Sequence, residues 1–202
     1  MINVAVLVSG GGTNLQALLD EEAAGRIPDG ELALVISNRE GAYALQRAQA
    51  HGKPWAAITK KKAGSQEAFE AELQETLEAY HIDFLVLAGF LAILSKDFTD
   101  RWPRRIINIH PSLIPSFCGA GFYGLRVHEA ALARGVKVSG ATVHYVNEIP
   151  DGGEILLQKA VEVQAGDTPE TLQRRIMEQA EWHLLPEAAE MVARQLNENG
   201  GN

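Results

Sequence analysis

Five short apolar segments, separated by stretches with helical periodicity, limit the possible folds of this chain more than any other feature. Residues 2–8 are nearly all apolar and rich in β-branched side chains, which is typical of a strand buried on both faces. Similar segments follow at residues 32–36, 55–58, 83–88 and 106–109. Between them, apolar residues recur at helical spacing, as with Phe69, Leu73 and Leu77. This alternation predicts an α/β fold: a Rossmann-like, mostly parallel twisted sheet flanked by helices.

The pattern changes after residue 110. Residues 110–124 contain two prolines and three glycines, which predicts a loop. Residues 137–146 and 155–163 read as long strands joined by residues 147–153. Because polar and apolar residues alternate over residues 139–146, we expect half-exposed antiparallel strands toward the C-terminal half.

Helix signals dominate the end of the chain. Residues 127–133 predict a short helix, and Thr168 followed by Pro169 predicts a helix start with threonine as N-cap. A long helix follows, with Pro186 as a candidate point of interruption, and the polar tail over residues 197–202 is expected to fray. With 202 residues, the chain is expected to form one domain over residues 1–202.

Charge and composition argue against several classes of function. With 18 basic and 26 acidic residues the net charge is −8, whereas a nucleic-acid-binding surface needs a basic stripe. The basic run Lys60–Lys61–Lys62 predicts only a solvated turn. The single cysteine, Cys118, excludes an intrachain disulfide and a cysteine-cluster metal site. With no signal peptide and no apolar run near 18 residues, we expect a cytoplasmic protein that acts on small molecules, with no nucleic-acid or membrane partner.

A glycine-rich loop follows the first strand, at residues 9–14 (SGGGTN). Its backbone N–H groups and the following helix dipole favour an anion. The loop does not match the dinucleotide-binding fingerprint, which needs glycine at its sixth position, because the sixth residue counted from Gly10 is Leu15. It does not match a P-loop either, because it lacks Gly-Lys-Ser/Thr. Two interpretations remain: a cradle for a monophosphate, or a tight turn with an asparagine cap.

Asn108 and His110 end the fifth strand. Alternation puts both on one face, and at the carboxyl edge of a parallel sheet that face opens on a ligand crevice. Histidine exchanges protons near neutral pH, and asparagine donates a hydrogen bond to a developing oxyanion. Asp151, in a glycine-rich loop, would orient His110 and raise its pKa, although a turn role is the alternative. His144 is either a partner of this group or a half-buried strand residue.

Several segments resemble the phosphoribosylglycinamide formyltransferases of the folate-dependent formyltransferase superfamily. The resemblance covers about residues 2–190. The segments that carry it are residues 6–16 (VLVSGGGTNLQ), 87–94 (LAGFLAIL), 107–117 (INIHPSLIPSF), 140–146 (GATVHYV), 151–153 (DGG) and 155–158 (ILLQ).

The resemblance implies transfer of the formyl group of 10-formyltetrahydrofolate, a co-substrate, to the amino group of glycinamide ribonucleotide in purine synthesis. Outside the candidate site, the histidines are scattered without the spacing of metal ligands, so no metal is expected. A monomer or homodimer is expected. A nucleotide-binding half, about 1–105, would precede a catalytic and folate-binding half, about 106–196. The implied catalytic residues are Asn108, His110 and Asp151. The implied ribonucleotide-binding residues are Gly12, Thr13, Asn14 and Glu181, with Glu178 second to Glu181; the implied folate-binding residues are Leu91, Ala92, Ile93, Leu94, Asn108, Asn147 and Glu148.

The chain departs from the family pattern at several positions. Ala92 and Gln66 stand where many or some members carry arginine, and Glu154 stands where proline is usual. Residues 117–124 hold more aromatic and glycine residues than the common form. The absence of these arginines would weaken electrostatic contact with folate. None of the changes is expected to touch the implied catalytic residues, so they bear on substrate affinity more than on reaction type. The alternatives are a formyltetrahydrofolate hydrolase, a methionyl-tRNA formyltransferase, and a non-catalytic nucleotide-binding module.

Overall fold

The computed structural model describes residues 1–200 and contains a seven-stranded sheet of order β3-β2-β1-β4-β5-β6-β7. β1 to β5 are parallel to one another, β6 is antiparallel to β5, and β7 is antiparallel to β6. The predicted α/β class, with antiparallel strands toward the C-terminal half, is confirmed. The strands are β1 (Ile2–Val8), β2 (Gly30–Ser37), β3 (Trp55–Ala57), β4 (Phe84–Leu87), β5 (Ile106–His110), β6 (Val138–Tyr145) and β7 (Ile155–Glu162).

Helices cover both faces of the sheet. They are α1 (Thr13–Ala23), α2 (Tyr43–Ala50), α3 (Lys60–Ala63), α4 (Gln66–Ala79), α5 (Lys96–Thr99), α6 (Leu125–Arg134), α7 (Pro169–Ile176) and α8 (Trp182–Gly200), with a π-helical turn (Met177–Glu181) between α7 and α8. Alternate residues of β1 enter two apolar cores. Val4 and Val6 pack toward α1, α2, α6, α7 and α8, whereas Ala5 and Leu7 pack toward α4 and α5. Burial on both faces explains why β1 is apolar throughout.

The expectation that residues 139–146 form a half-exposed strand is wrong. Seven of the eight residues of β6 are buried, because β7 covers its outer edge and helices cover its face. The exposed edge is β7 itself, where one residue, Val161, is fully buried. The alternation of polar and apolar residues therefore predicted the strand correctly but not how deeply the strand is buried.

The C-terminal helices also differ from expectation. Thr168 does cap α7, in a capping box with Thr171. The helix does not break at Pro186, which lies inside α8 one turn after the π turn has already altered the hydrogen-bond pattern. The tail does not fray over residues 197–200, since α8 reaches Gly200 and Asn197 Nδ2 donates to the Asp29 carbonyl over 3.1 Å. Residues 201–202 lie outside the described residues.

The basic run Lys60–Lys61–Lys62 lies in the one-turn helix α3, which is capped by the Thr59 side chain, and not in a turn. Over residues 1–200, no helix has the length and apolar character that crossing a membrane requires.

Candidate active site

The strand order reverses between β1 and β4, so the chain continues from these two strands toward opposite sides of the sheet. This reversal opens a crevice at the carboxyl edge of the sheet. The two loops are hydrogen-bonded to each other. Ser9 N donates to the Gly89 carbonyl over 3.1 Å, and Leu91 N donates to Ser9 Oγ over 2.8 Å. The glycine loop and the segment after β4 are therefore held as one unit.

The glycine loop is shaped by close packing against α2. Gly12 has a φ of 71°, and a Cβ there would lie 2.6 Å from the Cβ of Ala44, so only glycine fits. Arg47 Nε donates to the Gly11 carbonyl over 2.8 Å, and Ala44 N donates to the Gly10 carbonyl over 3.1 Å. α1 starts directly after Gly12 with no side-chain cap, so Asn14 is not the cap of this helix.

Asn14 instead binds Glu181. Its Nδ2 donates to Glu181 Oε2 over 2.7 Å, and its Oδ1 is buried without a hydrogen-bond partner in the protein. Glu181 is 6% exposed, and burial raises its pKa to about 7 although the bond from Asn14 lowers it. Glu178, the second candidate, is exposed and lies within 3.5 Å of Arg174. The two glutamates thus have different environments, and only Glu181 faces the crevice.

Two cavities occupy the crevice. The first, about 260 Å³, lies between the β4 and β5 ends and the α7–π-turn region. Its lining residues are Asn14, Gly89, Phe90, Leu91, Asn108, Ile109, His110, Pro111, Tyr123, Gly124, Gln173, Met177 and Glu181. Gly12 and Thr13 do not line it, although Thr13 Oγ1 lies 3.8 Å from Met177 Sδ at its border.

The second cavity, about 130 Å³, lies between the segment after β4 and the β6–β7 loop. It is lined by Leu87, Phe90, Leu91, Ala92, Ile93, Leu94, Asn108, His144, Val146, Asn147, Glu148, Ile149, Pro150 and Asp151. All the residues implied for folate binding line this cavity. Phe90, Leu91 and Asn108 line both cavities, so the two spaces meet at the end of β5.

Asn108, His110, His144 and Asp151 form one cluster at this junction. His110 Nδ1 lies 3.4 Å from Asp151 Oδ2, and His144 Nε2 lies 3.5 Å from Asp151 Oδ1. Asn108 Nδ2 lies 3.2 Å from His144 Nε2, while His144 Nδ1 lies 2.7 Å from the Tyr145 carbonyl. His144 is buried and contacts both Asn108 and Asp151, so the structure favours the partner role over the half-buried strand residue.

The hydrogen bond to the Phe117 carbonyl defines the tautomer of neutral His110. Nε2 lies 2.9 Å from the Phe117 carbonyl, which only accepts, so Nε2 carries a hydrogen. Nδ1 therefore donates to Asp151 only when the ring is a cation. Burial lowers the pKa of His110, whereas Asp151 raises it, as expected, and so does the Phe117 hydrogen bond. The effect of burial is the larger one, so the pKa lies below its ordinary value.

Asp151 is held by its backbone and by the loop after His110. Its φ is 56°, and Oδ2 accepts a 2.8 Å hydrogen bond from Gly119 N. Burial raises the pKa of Asp151, but the His144 and Gly119 hydrogen bonds and nearby His110 outweigh it, so the pKa lies below its ordinary value. Asp151 is thus an ionised carboxylate facing two imidazoles. By contrast, burial raises the pKa of the Cys118 thiol, which makes Cys118 a poor nucleophile.

The sequence pattern missed several lining residues of the first cavity. Gln173, Met177 and Glu181 follow one another at a spacing of four, so a helical-face argument starting from Glu181 would have found the other two. The Phe117 carbonyl binds His110 and the Gly119 N–H binds Asp151, so the expectation that residues 117–124 touch none of the implied catalytic residues is wrong. These backbone groups carry no sequence signal because any residue supplies them. Among residues 1–200, no group of three or more His, Cys, Asp or Glu side chains is arranged to hold a metal ion.

The chain is similar to known proteins over nearly its whole length. The model of a family described as formyl transferase matches residues 2–189. A trifunctional purine biosynthetic protein adenosine-3 from Gallus gallus is 43% identical over 95% of this chain, but the chain spans only 18% of that protein. A phosphoribosylglycinamide formyltransferase from Haemophilus influenzae is 39% identical, covering 92% of this chain and 84% of the relative. The crystal structure of glycinamide ribonucleotide transformylase 1 from Symbiobacterium toebii matches with a TM-score of 0.90 and 45% identity, over 96% of this chain and 89% of that one.

Proposed function

The chain belongs to the formyl transferase family, and from that premise we propose that it transfers the formyl group of 10-formyltetrahydrofolate to the amino group of glycinamide ribonucleotide. One observation carries the proposal. Two cavities meet at Asn108, and His110 lines the first whereas Asp151 lines the second. A transferase needs this arrangement, since donor and acceptor must meet at the reacting groups.

Glycinamide ribonucleotide would occupy the first cavity. The N-terminus of α1, after Gly12, offers backbone N–H groups and a positive dipole to the phosphate. The buried carboxyl of Glu181 would accept hydrogen bonds from the ribose hydroxyls, and the unpartnered Asn14 Oδ1 would accept another. The amino group would then point toward Asn108 and His110.

The folate donor would occupy the second cavity. Its wall over residues 91–94 is apolar, which suits a flat aromatic ring, and the facing β6–β7 loop supplies Asn147 and Glu148 as polar contacts. Ala92 and Gln66 place no positive charge here. Gln66 instead donates through Nε2 to Glu70 over 2.6 Å and to the Ile93 carbonyl over 3.1 Å. We therefore expect this chain to hold the donor mainly by apolar contact.

Asn108 and His110 would stabilise the oxyanion that forms when the amine adds to the formyl carbon. Asn108 Nδ2 lies 3.2 Å from His144 Nε2 and carries two amide hydrogens, one of which would be donated to the oxyanion. Burial lowers the pKa of His110, while Asp151 and the Phe117 hydrogen bond raise it. The ring would act as a cation whose extra proton comes from solvent and stays on the ring during transfer. Its charge would stabilise the oxyanion most strongly in the transition state, where negative charge has developed.

Asp151 would hold the His110 cation and move the one proton that passes between the two substrates. The carboxylate faces Nδ1 of His110 and lines the second cavity. With the donor in that cavity, it would lie beside the leaving nitrogen. In this scheme Asp151 takes a proton from the ammonium group of the adduct through a bridging water and returns it to that nitrogen. The C–N bond to the folate then breaks, and the formyl group stays on the ribonucleotide.

Turnover with and without the acceptor tests the proposal. Purified protein is mixed with 10-formyl-5,8-dideazafolate, and deformylation is followed by absorbance in the presence or absence of glycinamide ribonucleotide. We expect deformylation only with the ribonucleotide. Deformylation without it would instead establish a hydrolase. No turnover by folded protein that still binds the ribonucleotide would support a binding module.

A further inference from the structure

Thr142 and Gln158 share a cross-strand row with His110. His110 is paired with Thr142 across β5 and β6, and Thr142 is paired with Gln158 across β6 and β7. Directly opposed residues of antiparallel strands project from the same face of a sheet. The row therefore runs from the active-site histidine to a side chain on the exposed edge strand.

The Thr142 hydroxyl uses its full hydrogen-bonding capacity. It donates to the Ser112 carbonyl over 2.7 Å and accepts from Ile114 N over 3.1 Å and from Gln158 Nε2 over 3.0 Å. A hydroxyl has one donor and two acceptor positions, so none remains free. Gln158 Nε2 also donates to the Ile114 carbonyl over 3.0 Å. Together the two side chains bind the backbone on both sides of Leu113.

The segment they bind is the start of the loop that contacts His110 and Asp151. Ser112 Oγ donates to the Ser116 carbonyl over 2.6 Å, which folds the loop back on itself. The next carbonyl, of Phe117, accepts from His110, and Gly119 N donates to Asp151. The relative position of the imidazole and the carboxylate thus depends on where this loop sits.

Close packing supports the same conclusion. A Cβ on Gly140 of β6 would lie 2.8 Å from Leu113 Cδ2 and 2.1 Å from the Lys159 carbonyl oxygen. The loop therefore lies directly on the face of β6. Neither Thr142 nor Gln158 lines either cavity, so a direct contact with substrate is not expected.

We propose that Thr142 and Gln158 are positioning residues that fix the loop after His110 and thereby set the geometry of His110 against Asp151. The proposal rests on the proposed function for its kinetic consequence. Its structural content, that the edge-strand glutamine controls the surroundings of the His110 ring, holds separately and is tested separately.

Kinetics test the first part. Thr142→Val keeps the side-chain shape and removes the hydroxyl, and Gln158→Leu removes the amide. We expect kcat to fall about 10- to 100-fold in each, since a small displacement of reacting groups has effects of this size. The KM for the ribonucleotide should not change, because neither residue lines its cavity. Thr142→Ser should keep kcat near the wild-type value, and Gln49→Leu, on the exposed side of α2, is the matched control.

Titration of the His110 ring tests the second part without turnover. In ¹⁵N-histidine-labelled protein, the His110 signal is identified by its loss in His110→Asn. In Gln158→Leu and Thr142→Val, we expect the His110 ring to titrate with a midpoint at lower pH than in wild type. The reason is that the Phe117 carbonyl, whose hydrogen bond raises the His110 pKa, is no longer held against Nε2. The facing groups Asp151, His144 and His128 are unchanged in these variants. Gln49→Leu should titrate like wild type.

The outcomes separate the two proposals. If wild type shows no ribonucleotide-dependent turnover but the His110 midpoint shifts as expected, the proposed function fails and the positioning role stands. If kcat per folded molecule and the His110 midpoint both stay at wild-type values, the positioning role is overturned. A loss of activity that matches only the loss of folded protein, with an unshifted midpoint, overturns it as well.

Discussion

Replacing Glu181 with glutamine should stabilise the free protein at alkaline pH. Glu181 is buried beneath the first cavity, and its pKa of about 7 compares with an ordinary value of 4.5. At about 1.4 kcal/mol for each pH unit between the two values, ionised Glu181 costs the folded state about 3 kcal/mol. Glutamine keeps an oxygen to accept from Asn14 and carries no charge, so it avoids this cost.

The size of the effect depends on pH. Because the pKa is raised on folding, the folded state binds more protons than the unfolded state between about pH 4.5 and 7. The contribution of Glu181 is therefore favourable at low pH and is lost as pH rises through the folded-state value. Glu181→Gln should raise the free energy of unfolding by about 3 kcal/mol at pH 8 and by less than about 1 kcal/mol at pH 5.

Urea unfolding of both proteins at pH 5 and pH 8 measures this difference, provided the denaturant slopes agree. Glu178→Gln is the control, since Glu178 is exposed on the same π turn and should show no such pH dependence. An equal effect of Glu181→Gln at the two pH values would refute the reasoning. The predicted result would show that the fold tolerates an unfavourable buried acid at the base of a ligand cavity, as expected for a binding residue.

Three further predictions concern separate parts of the structure. Asp151→Asn should lower kcat by about 10²- to 10⁴-fold in the dideazafolate assay while urea unfolding stays near wild type; unchanged kcat would contradict the role of the carboxylate. Gly12→Ala should destabilise the protein by more than about 1 kcal/mol and raise the ribonucleotide KM, because its Cβ meets Ala44 in a left-handed backbone; wild-type values of both would contradict this. Thr168→Ala should cost about 1 kcal/mol in urea unfolding with kcat unchanged, since it only removes the α7 cap; a kcat loss would show that α7 also shapes the site.

The sequence predicted those parts of the fold that depend on local signals. The β1–glycine-loop–α1 unit and the Thr168 cap follow from residue type and spacing over a few positions. The buried strands were recognisable because their apolar residues continue through both alternating faces. The candidate site was partly predictable in the same way, since Asn108 and His110 lie two residues apart on one strand.

The rest depends on contacts between distant segments. Asp151 meets His110 only because β6 pairs antiparallel to β5 and brings the following loop back over the strand end. The burial of β6 depends on β7, which pairs with its outer edge. The alternation of residues 139–146 does not encode this pairing. The π turn that presents Met177 and Glu181 to the cavity depends on packing of the helix, and the π turn lies upstream of Pro186, the residue that local reasoning gave as the candidate point of interruption.

Transfer of a labelled formyl group in a single turnover tests the central claim most directly. Excess protein is mixed with ¹³C-formyl donor and glycinamide ribonucleotide, and the label is followed by NMR. The account predicts that the label moves from the folate nitrogen to the amine of the ribonucleotide, and that Asp151→Asn slows this step by orders of magnitude although both substrates still bind. Label released as formate, or transfer at the wild-type rate in Asp151→Asn, would contradict it.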